Sequence, residues 1–447
     1  MRKTIFVSAI IFFGLVLRLV IFYSSPPNNS FDDHLEPIAL YKNSMSIPLP
    51  NQCWECYQPP VYYGLGALVL HTGDLLGLSS FNSWKLIQLI NPLASVFVLF
   101  LFYRIMLNLE VPFQKRILLL SFFTVLPIDL LTCSMIGNDY LLVLFSALAF
   151  YSFSRLHRKI KEQVEIDWWN YLVLCIYVIL GALTKQHGLL LIIFPVSVLF
   201  LVFKKSSWKL KVLYAFMAFS TIGISLSNEI QKFKSTGKFL VSNQDFYNYT
   251  DGQFPGDINK VEFFTFRFFD LMQTPFLSET TSASFNTEIF ARIFFDYEWR
   301  FISPSIKGAN LMGQVAYVFG AFWLIYFGIL IFIRLREFVK GSNKWSRLNY
   351  FLVVSSVVFV LYALVPFVQT IRFPYFSSMK ATFFLPGVVI FLTLMGRYVM
   401  KASNKTLDYL LITINLCFGL CLVLYIYEAL PLSLNLLSGP LWPIPGV

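Results

Sequence analysis

Apolar stretches long enough to cross a bilayer recur from one end of the chain to the other, and polar residues collect in the gaps between them. A hydrocarbon layer about 30 Å thick needs roughly 20 apolar residues in a helix. On that measure eleven segments read as spans: 5–23, 86–108, 117–136, 139–154, 170–184, 188–203, 211–228, 311–333, 350–370, 381–396 and 407–428. The stretch 61–79 is apolar enough to be another, but Gly64, Gly66, His71, Gly73 and Asp74 interrupt it. The expected fold class is therefore an all-α integral membrane protein, a polytopic helical bundle of about eleven spans.

Basic residues decide the fate of 61–79, because Lys and Arg concentrate in short loops on the cytoplasmic face. If that stretch lies along the surface, the N-terminus and loops 109–116, 155–169, 204–210, 334–349 and 397–406 share one face. They then hold twenty Lys and Arg, counting Lys211 at a loop edge, against five in the short outer segments. If it crosses, eighteen of the twenty move outside. The surface placement is preferred. It leaves a first outer loop over 24–85 and a second over 229–310, each carrying juxtamembrane helices, with 260–272 amphipathic. The organisation expected is a catalytic module at 1–228, an outer loop region at 229–310 and a C-terminal module at 311–447. Pro431, Pro440, Pro443 and Pro445 argue against helix in 429–447. No internal repeat is visible.

Composition narrows the class. With 57% hydrophobic and 13% charged residues, a soluble globular chain is excluded, and the net charge of +11 follows from the basic loops rather than from a nucleic-acid footprint. Met1-Arg2-Lys3 and the long run to Tyr23 read as a retained first span entering from the cytoplasm, since the run is long for a signal peptide and no small-residue cleavage site follows. Of six cysteines, Cys133, Cys175, Cys417 and Cys421 fall in or beside spans. Cys53 and Cys56 lie in the first outer loop. A local disulfide is the first reading for that pair, with two free thiols or half of a zinc site as alternatives.

The outer face carries the candidate chemistry. The first outer loop supplies Asp32, Asp33, His34, Glu36, Glu55, Gln58 and Tyr62. The turn before span four supplies Asn138 and Asp139, the turn after span five Lys185 and His187, and the segment before span ten Arg372 and Lys380. Carboxylates at lipid-facing helix ends are costly, so their presence points to chemistry at the membrane surface. Each also has a plain structural role. Asp32 or Asp33 can cap a helix over 34–46, and Asp33 with Glu36 has capping-box spacing. Asp139 can cap span four, and Lys185 and Lys380 can snorkel to headgroups. Arg18, inside span one, is read as structural. Asn28-Asn29-Ser30 and Asn248-Tyr249-Thr250 are sequons on the outer face, but such triplets occur by chance and do not decide between a bacterial and an endoplasmic-reticulum membrane.

In order along the chain, these elements resemble GT-C glycosyltransferases that take sugar from a polyprenyl-phosphate carrier, nearest the protein O-mannosyltransferase and aminoarabinose-transferase branch. Asp32-Asp33 stands where that branch has an acidic pair after span one. Gln58-Pro59-Pro60-Val61-Tyr62-Tyr63 resembles its His-Pro-Pro-Leu-Tyr-Tyr element, Asn138-Asp139-Tyr140-Leu141 its acidic turn, and Leu183-Thr184-Lys185 a Leu-Thr-Lys element. Lys380 to Pro386 resembles its late basic-to-proline stretch. The likeness covers most of 1–200 and returns at 372–396. Gln58 replaces the usual His, Asp33 the commoner Glu, and Lys380 the commoner Arg. The Trp-Trp-Asp signature of oligosaccharyltransferases is absent, since Trp168-Trp169-Asn170 falls on the cytoplasmic side, and en bloc oligosaccharide transfer is disfavoured.

The resemblance implies an inverting transfer of a lipid-linked sugar, on the periplasmic face of a bacterial inner membrane or the lumenal face of the endoplasmic reticulum. Asp33 or Asp32 is expected to take the acceptor's proton. Lys185, His187, Arg372 and Lys380 are expected to stabilise the leaving phosphate, while Asp139 binds a sugar hydroxyl or orients Lys185. No cofactor is required by this scheme; a divalent ion at Asp33, Glu36 and Asp139 is the alternative. The partners are the polyprenyl-phosphate-linked donor, the bilayer and an acceptor the sequence leaves open as protein, lipid or glycan. A lipid-linked-sugar flippase and a glycan polymerase or ligase are the competing functions.

Overall fold

A computed structural model describes residues 2–162, 164, 167–203, 207–247, 258, 260–340, 350–400 and 405–436. Parts of the basic loops, the Asn248-Tyr249-Thr250 sequon and the proline-rich 437–447 segment lie outside these residues. Among the described residues the chain is helical throughout, with no strand. Eight helices are long and apolar enough to span a bilayer, and each coincides with one expected span: Lys3–Ser24, Ser80–Asn108, Asp139–Lys161, Trp208–Thr236, Ala309–Glu337, Tyr350–Arg372, Phe376–Val399 and Lys405–Leu436.

The other three expected spans depart from full-length crossings. The 117–136 segment forms Phe113–Thr124 and Pro127–Thr132. Pro127 has no amide proton and its ring obstructs the carbonyl four residues back, so one helix ends and the next begins on the proline. Trp168–Ala182 has 15 residues, about 22 Å of helix. The 188–203 segment starts as a tight 3-10 helix, Gln186–Ile192, and only then becomes Ile193–Phe203. Val61–Leu75 is a helix of 15 residues, also shorter than a bilayer crossing.

Two further expectations are corrected. Lys405–Leu436 continues through Pro431, eight residues into the 429–447 segment that its prolines were expected to keep from being helical. One lost backbone hydrogen bond is tolerated where the flanking turns stay paired. The amphipathic 260–272 stretch is split into Val261–Phe264 and Phe268–Gln273, because Thr265 and Arg267 leave helical backbone angles.

The described chain divides into two compact units. The first comprises Met1–Ile21, Leu99–Leu131 and Gly252–Leu436. There Phe113–Thr124 packs on Lys405–Leu436, and Tyr350–Arg372 on Leu385–Leu394. Phe122, Phe319, Trp323, Phe327 and Phe418 form an aromatic core, with Phe319 and Phe418 stacked at 3.9 Å. Buried polar groups cross-link these helices. Asn415 accepts from Trp323 Nε1 at 3.1 Å and donates to Ser121 Oγ at 3.0 Å. Lys115 pairs with Asp408 at 2.9 Å, both fully enclosed. Arg18 is wholly buried and pairs with Asp129, also wholly buried, while donating to the Gly14 and Thr124 carbonyls. That answers the requirement that an arginine inside a span find a partner.

The second unit comprises, of the described residues, those within Phe22–Val98 and Thr132–Asp251. Leu35–Ser44 lies on Val61–Leu75, where Ile38 presses against Gly66 so closely that a Cβ there would sit 2.9 Å from Ile38 Cδ1. Leu35, Ile38, Tyr63, Leu70, Trp84 and Ile136 make the core beneath. Asp139–Lys161 packs on Trp168–Ala182, which packs in turn on Trp208–Thr236.

Removing one member of a buried ion pair strands the other charge and costs about 3–5 kcal/mol, whereas replacing both with apolar groups is close to neutral. Asp129→Leu alone should therefore depress the melting temperature of the protein in nanodiscs sharply. Arg18→Met with Asp129→Leu should restore most of it. Equal destabilisation by single and double variants would contradict the pairing.

Candidate active site at the helix ends of the second unit

The site is built around one turn. Residues 134–138 link the short helix Pro127–Thr132 to the start of Asp139–Lys161, and polar side chains from other elements hold them. Gln88 Nε2 donates to the Ser134 carbonyl at 2.6 Å, and Asn91 Nδ2 to the carbonyls of Met135 and Gly137 at 2.8 and 2.9 Å. The Gly137 amide donates to Tyr62 Oη at 2.9 Å. Asn138 Nδ2 donates to the Thr184 carbonyl at 3.3 Å, which binds this turn to the one that carries Lys185. The His34 ring lies against Gly137, where a Cβ would come within 3.3 Å of it.

Asp139 and Lys185 meet at 2.7 Å and are almost enclosed, their side chains 14% and 6% exposed. Lys185 is extended in backbone and precedes the 3-10 turn that carries His187. The turn is tight because Gly188 abuts the Gly181 carbonyl, where a Cβ would be 2.1 Å from the oxygen. The amide of Val61 donates to the Leu183 carbonyl at 2.9 Å and brings the Pro59-Pro60 segment to the same place.

The segment between the first helix and Val61–Leu75 lies against this pair. His34 is buried, with Nδ1 2.8 Å from the Tyr63 hydroxyl and its ring stacked on Tyr63. A cavity of about 10 Å³, room for about one water, is lined by Ser30, Phe31, His34, Met135, Gly137 and Asp139. Asp33 Oδ1 accepts from the amides of Leu35 and Glu36 at 3.0 and 3.2 Å, so this carboxylate caps Leu35–Ser44. Burial pushes its pKa up against those two hydrogen bonds. Glu36 is raised by burial and by Asp33 beside it. The charge of Asp32 bears on the phenols of Tyr57 and Tyr63 and on Asp33 beside it. The Tyr57 hydroxyl is pushed well above its usual value by burial, then by Glu55, Asp32 and Asp139. Glu55 is 2% exposed and accepts from Gln58 Nε2 at 3.0 Å.

Cys53 and Cys56 form a disulfide, the first of the three alternatives for that pair. It closes the loop that carries Glu55. Trp54 packs on Tyr247 with the rings tilted, and the Tyr247 hydroxyl donates to the Asn51 carbonyl at 3.0 Å.

Ten of the twelve sequence-derived site residues thus belong to this one unit: Asp32, Asp33, His34, Glu36, Glu55, Gln58, Tyr62, Asp139, Lys185 and His187. Arg372, at the last turn of Tyr350–Arg372, and Lys380, before the turn Ala381–Phe384, belong to the other unit. Among the described residues no three His, Cys, Asp or Glu side chains gather as metal ligands, so Asp33, Glu36 and Asp139 form no such group. Sequence reasoning passed over Gln88, Asn91, Tyr57 and Tyr63. Gln88 and Asn91 had a signal, a polar pair three residues apart on one face of an otherwise apolar run.

No protein-family model and no curated protein matches the chain. Among solved structures it is similar to two kinds of GT-C glycosyltransferase. One is the oligosaccharyltransferase of Archaeoglobus fulgidus, solved with zinc and sulfate, at 12% identity and a TM-score of 0.46 over 95% of this chain and 52% of that one. This chain therefore spans about half the length of that enzyme. The other is ArnT from Cupriavidus metallidurans bound to undecaprenyl phosphate, at 14% identity and a TM-score of 0.36 over 95% of this chain and 78% of that one.

Proposed function

We propose that the chain is a membrane glycosyltransferase that moves a sugar from a polyprenyl-phosphate carrier to an acceptor hydroxyl, at the periplasmic or lumenal face. The observation that carries this reading is the gathering of three separate outer segments, 31–63, 134–139 and 183–187, around the buried Asp139–Lys185 pair. An apolar bundle has no structural need to enclose that many ionisable groups at helix ends.

In the proposed reaction the acceptor oxygen attacks the anomeric carbon as the bond from that carbon to the phosphate oxygen breaks. The phosphate leaves with the bonding electrons, the acceptor proton passes to a carboxylate, and attack opposite the leaving group inverts the centre. Asp32 is the better placed base. Asp33 already accepts two backbone amides as a helix cap, and Asp32 lies near enough to Tyr57 and Tyr63 for its charge to raise both phenols. Lys185, steadied by Asp139, supplies positive charge for the departing phosphate, and a fixed cation in a water-poor site acts strongly there. His187 is coupled electrostatically to the same pair, its pKa lowered to about 3 chiefly by burial, and His34 is hydrogen-bonded to Tyr63.

Asp32→Asn should lower transfer by at least ~10²-fold, the size of a lost general base. Asp33→Asn keeps an amide oxygen for the cap and should stay near wild type, while Asp33→Ala should lose about 1 kcal/mol of stability. The measurement is mass spectrometry of lipid-linked sugars and surface glycoconjugates in cells that lack the protein, then carry each variant. Accumulation of a polyprenyl-phosphate sugar cured by wild type and Asp33→Asn, but not by Asp32→Asn, is the expected result. Build-up on the cytoplasmic leaflet instead would make the chain a flippase.

Lys185→Met leaves Asp139 buried without its cation and should cost both activity and about 3–5 kcal/mol of stability. Adding Asp139→Asn should restore the melting temperature and leave transfer defective. Recovery of transfer in that double variant would remove Lys185 from the mechanism.

A further inference from the structure

Gln58 stands where the motif it resembles has His, and its surroundings define what that change does. Its side chain belongs to a residue only 5% exposed. Nε2 donates to Glu55 Oε2 at 3.0 Å and to the Tyr57 hydroxyl at 2.7 Å. A carboxylate has no proton to give, so the amide atom facing Glu55 is the nitrogen, and the orientation of the amide is settled. Both amide protons are then used. Oε1 is enclosed and has no hydrogen-bond partner among the described residues.

Tyr57 completes the other half. Its oxygen accepts from Gln58. A phenol carries one proton of its own, which stays available to donate. Burial with Glu55, Asp32 and Asp139 nearby keeps that phenol protonated. Two neighbouring groups thus offer one acceptor and one donor, fixed with respect to each other by the bond between them.

A hydroxyl is the group that satisfies both at once, because it donates one proton and accepts through its lone pairs. An ammonium only donates and an ionised carboxylate only accepts. The carboxylates of Asp32, Glu55 and Asp139 further disfavour an acid here. A buried acceptor left unmade costs free energy, so a ligand that supplies the missing proton is selected over one that does not.

We propose that Tyr57 and Gln58 form a hydroxyl-reading subsite, in which the Tyr57 hydroxyl donates to, and the Gln58 carbonyl accepts from, a single hydroxyl of a neutral sugar. This rests on the reading of the site as one that handles a sugar, and it names the sugar's class as uncharged at the position read. Gln58 and Tyr57 act as specificity determinants, apart from the proton transfer assigned to Asp32.

The test uses the full chain in lipid nanodiscs and ligand-observed saturation-transfer NMR. The probes are methyl glycosides of neutral hexoses, their single-deoxy analogues, and the corresponding uronic acids. At least one neutral hexoside should bind, and removing one particular hydroxyl should weaken it about tenfold. The matching uronic acid should bind worse. Tyr57→Phe and Gln58→Met should each weaken the hexoside by a similar factor and erase the discrimination at that hydroxyl. The proposal is overturned if no neutral hexoside binds, if the uronic acid binds as well, or if variants that melt like wild type also bind like it. Should either variant fail to fold, the deoxy series on wild type decides, and a flat series sinks the subsite. Sugar transfer in cells is scored separately. Transfer with a flat deoxy series removes the subsite alone, and discrimination without transfer removes the glycosyltransferase reading alone.

Discussion

Every buried charge in this chain has to be answered within the protein, because neither lipid nor an apolar core will solvate it. The Asp139–Lys185 pair is where that constraint shapes the site. A carboxylate opening a membrane helix and a lysine ending a turn are each costly alone. Once paired at 2.7 Å, they fix the spacing between the 134–139 and 183–187 turns. The hydrogen bonds of Gln88, Asn91, Tyr62 and Asn138 then hold the backbone of those turns. The same rule operates in the other unit, where Arg18 with Asp129 and Lys115 with Asp408 tie helices together without any part in the proposed chemistry. What separates the two uses is access. Arg18 and Asp129 are sealed, while Asp139 borders a small cavity at a helix end.

Hydropathy made the long helices legible, since a run of twenty apolar residues admits few alternatives to a span. It failed where composition and length part company. The 117–136 run is apolar throughout, yet Pro127 divides it, and the resulting short helix Phe113–Thr124 is buried over nearly its whole length from Ile117 onward. Apolar character there reflects protein packing, which a hydropathy window cannot tell from contact with lipid. Pro431 erred in the opposite direction, because a proline inside a long apolar helix is tolerated where a loop was expected.

Candidate residues could be named from the sequence, but their pairing could not. Capping by Asp33 followed from local spacing, and the cap is there. The partner of Arg18 lies 111 residues away, and that of Lys185 lies 46 away. Neither distance is written in any local pattern. Tyr57 escaped notice for a related reason. It sits between two residues that drew attention, Cys56 and Gln58, and nothing in its sequence context says that the charges of three carboxylates bear on its phenol.

On the proposed reading of the site, Gln at position 58, where the resembled motif has His, sharpens recognition rather than weakening it. An imidazole in that place would titrate near neutrality and offer a proton at one nitrogen or the other, depending on tautomer. The amide cannot titrate. It commits its nitrogen to Glu55 and Tyr57 at every pH at which Glu55 is ionised, and so commits its oxygen as an acceptor. A group with one fixed polarity reads a ligand's hydroxyl in one orientation. In the proposed scheme proton transfer is left to the carboxylates nearby, which divides recognition and chemistry between neighbouring side chains.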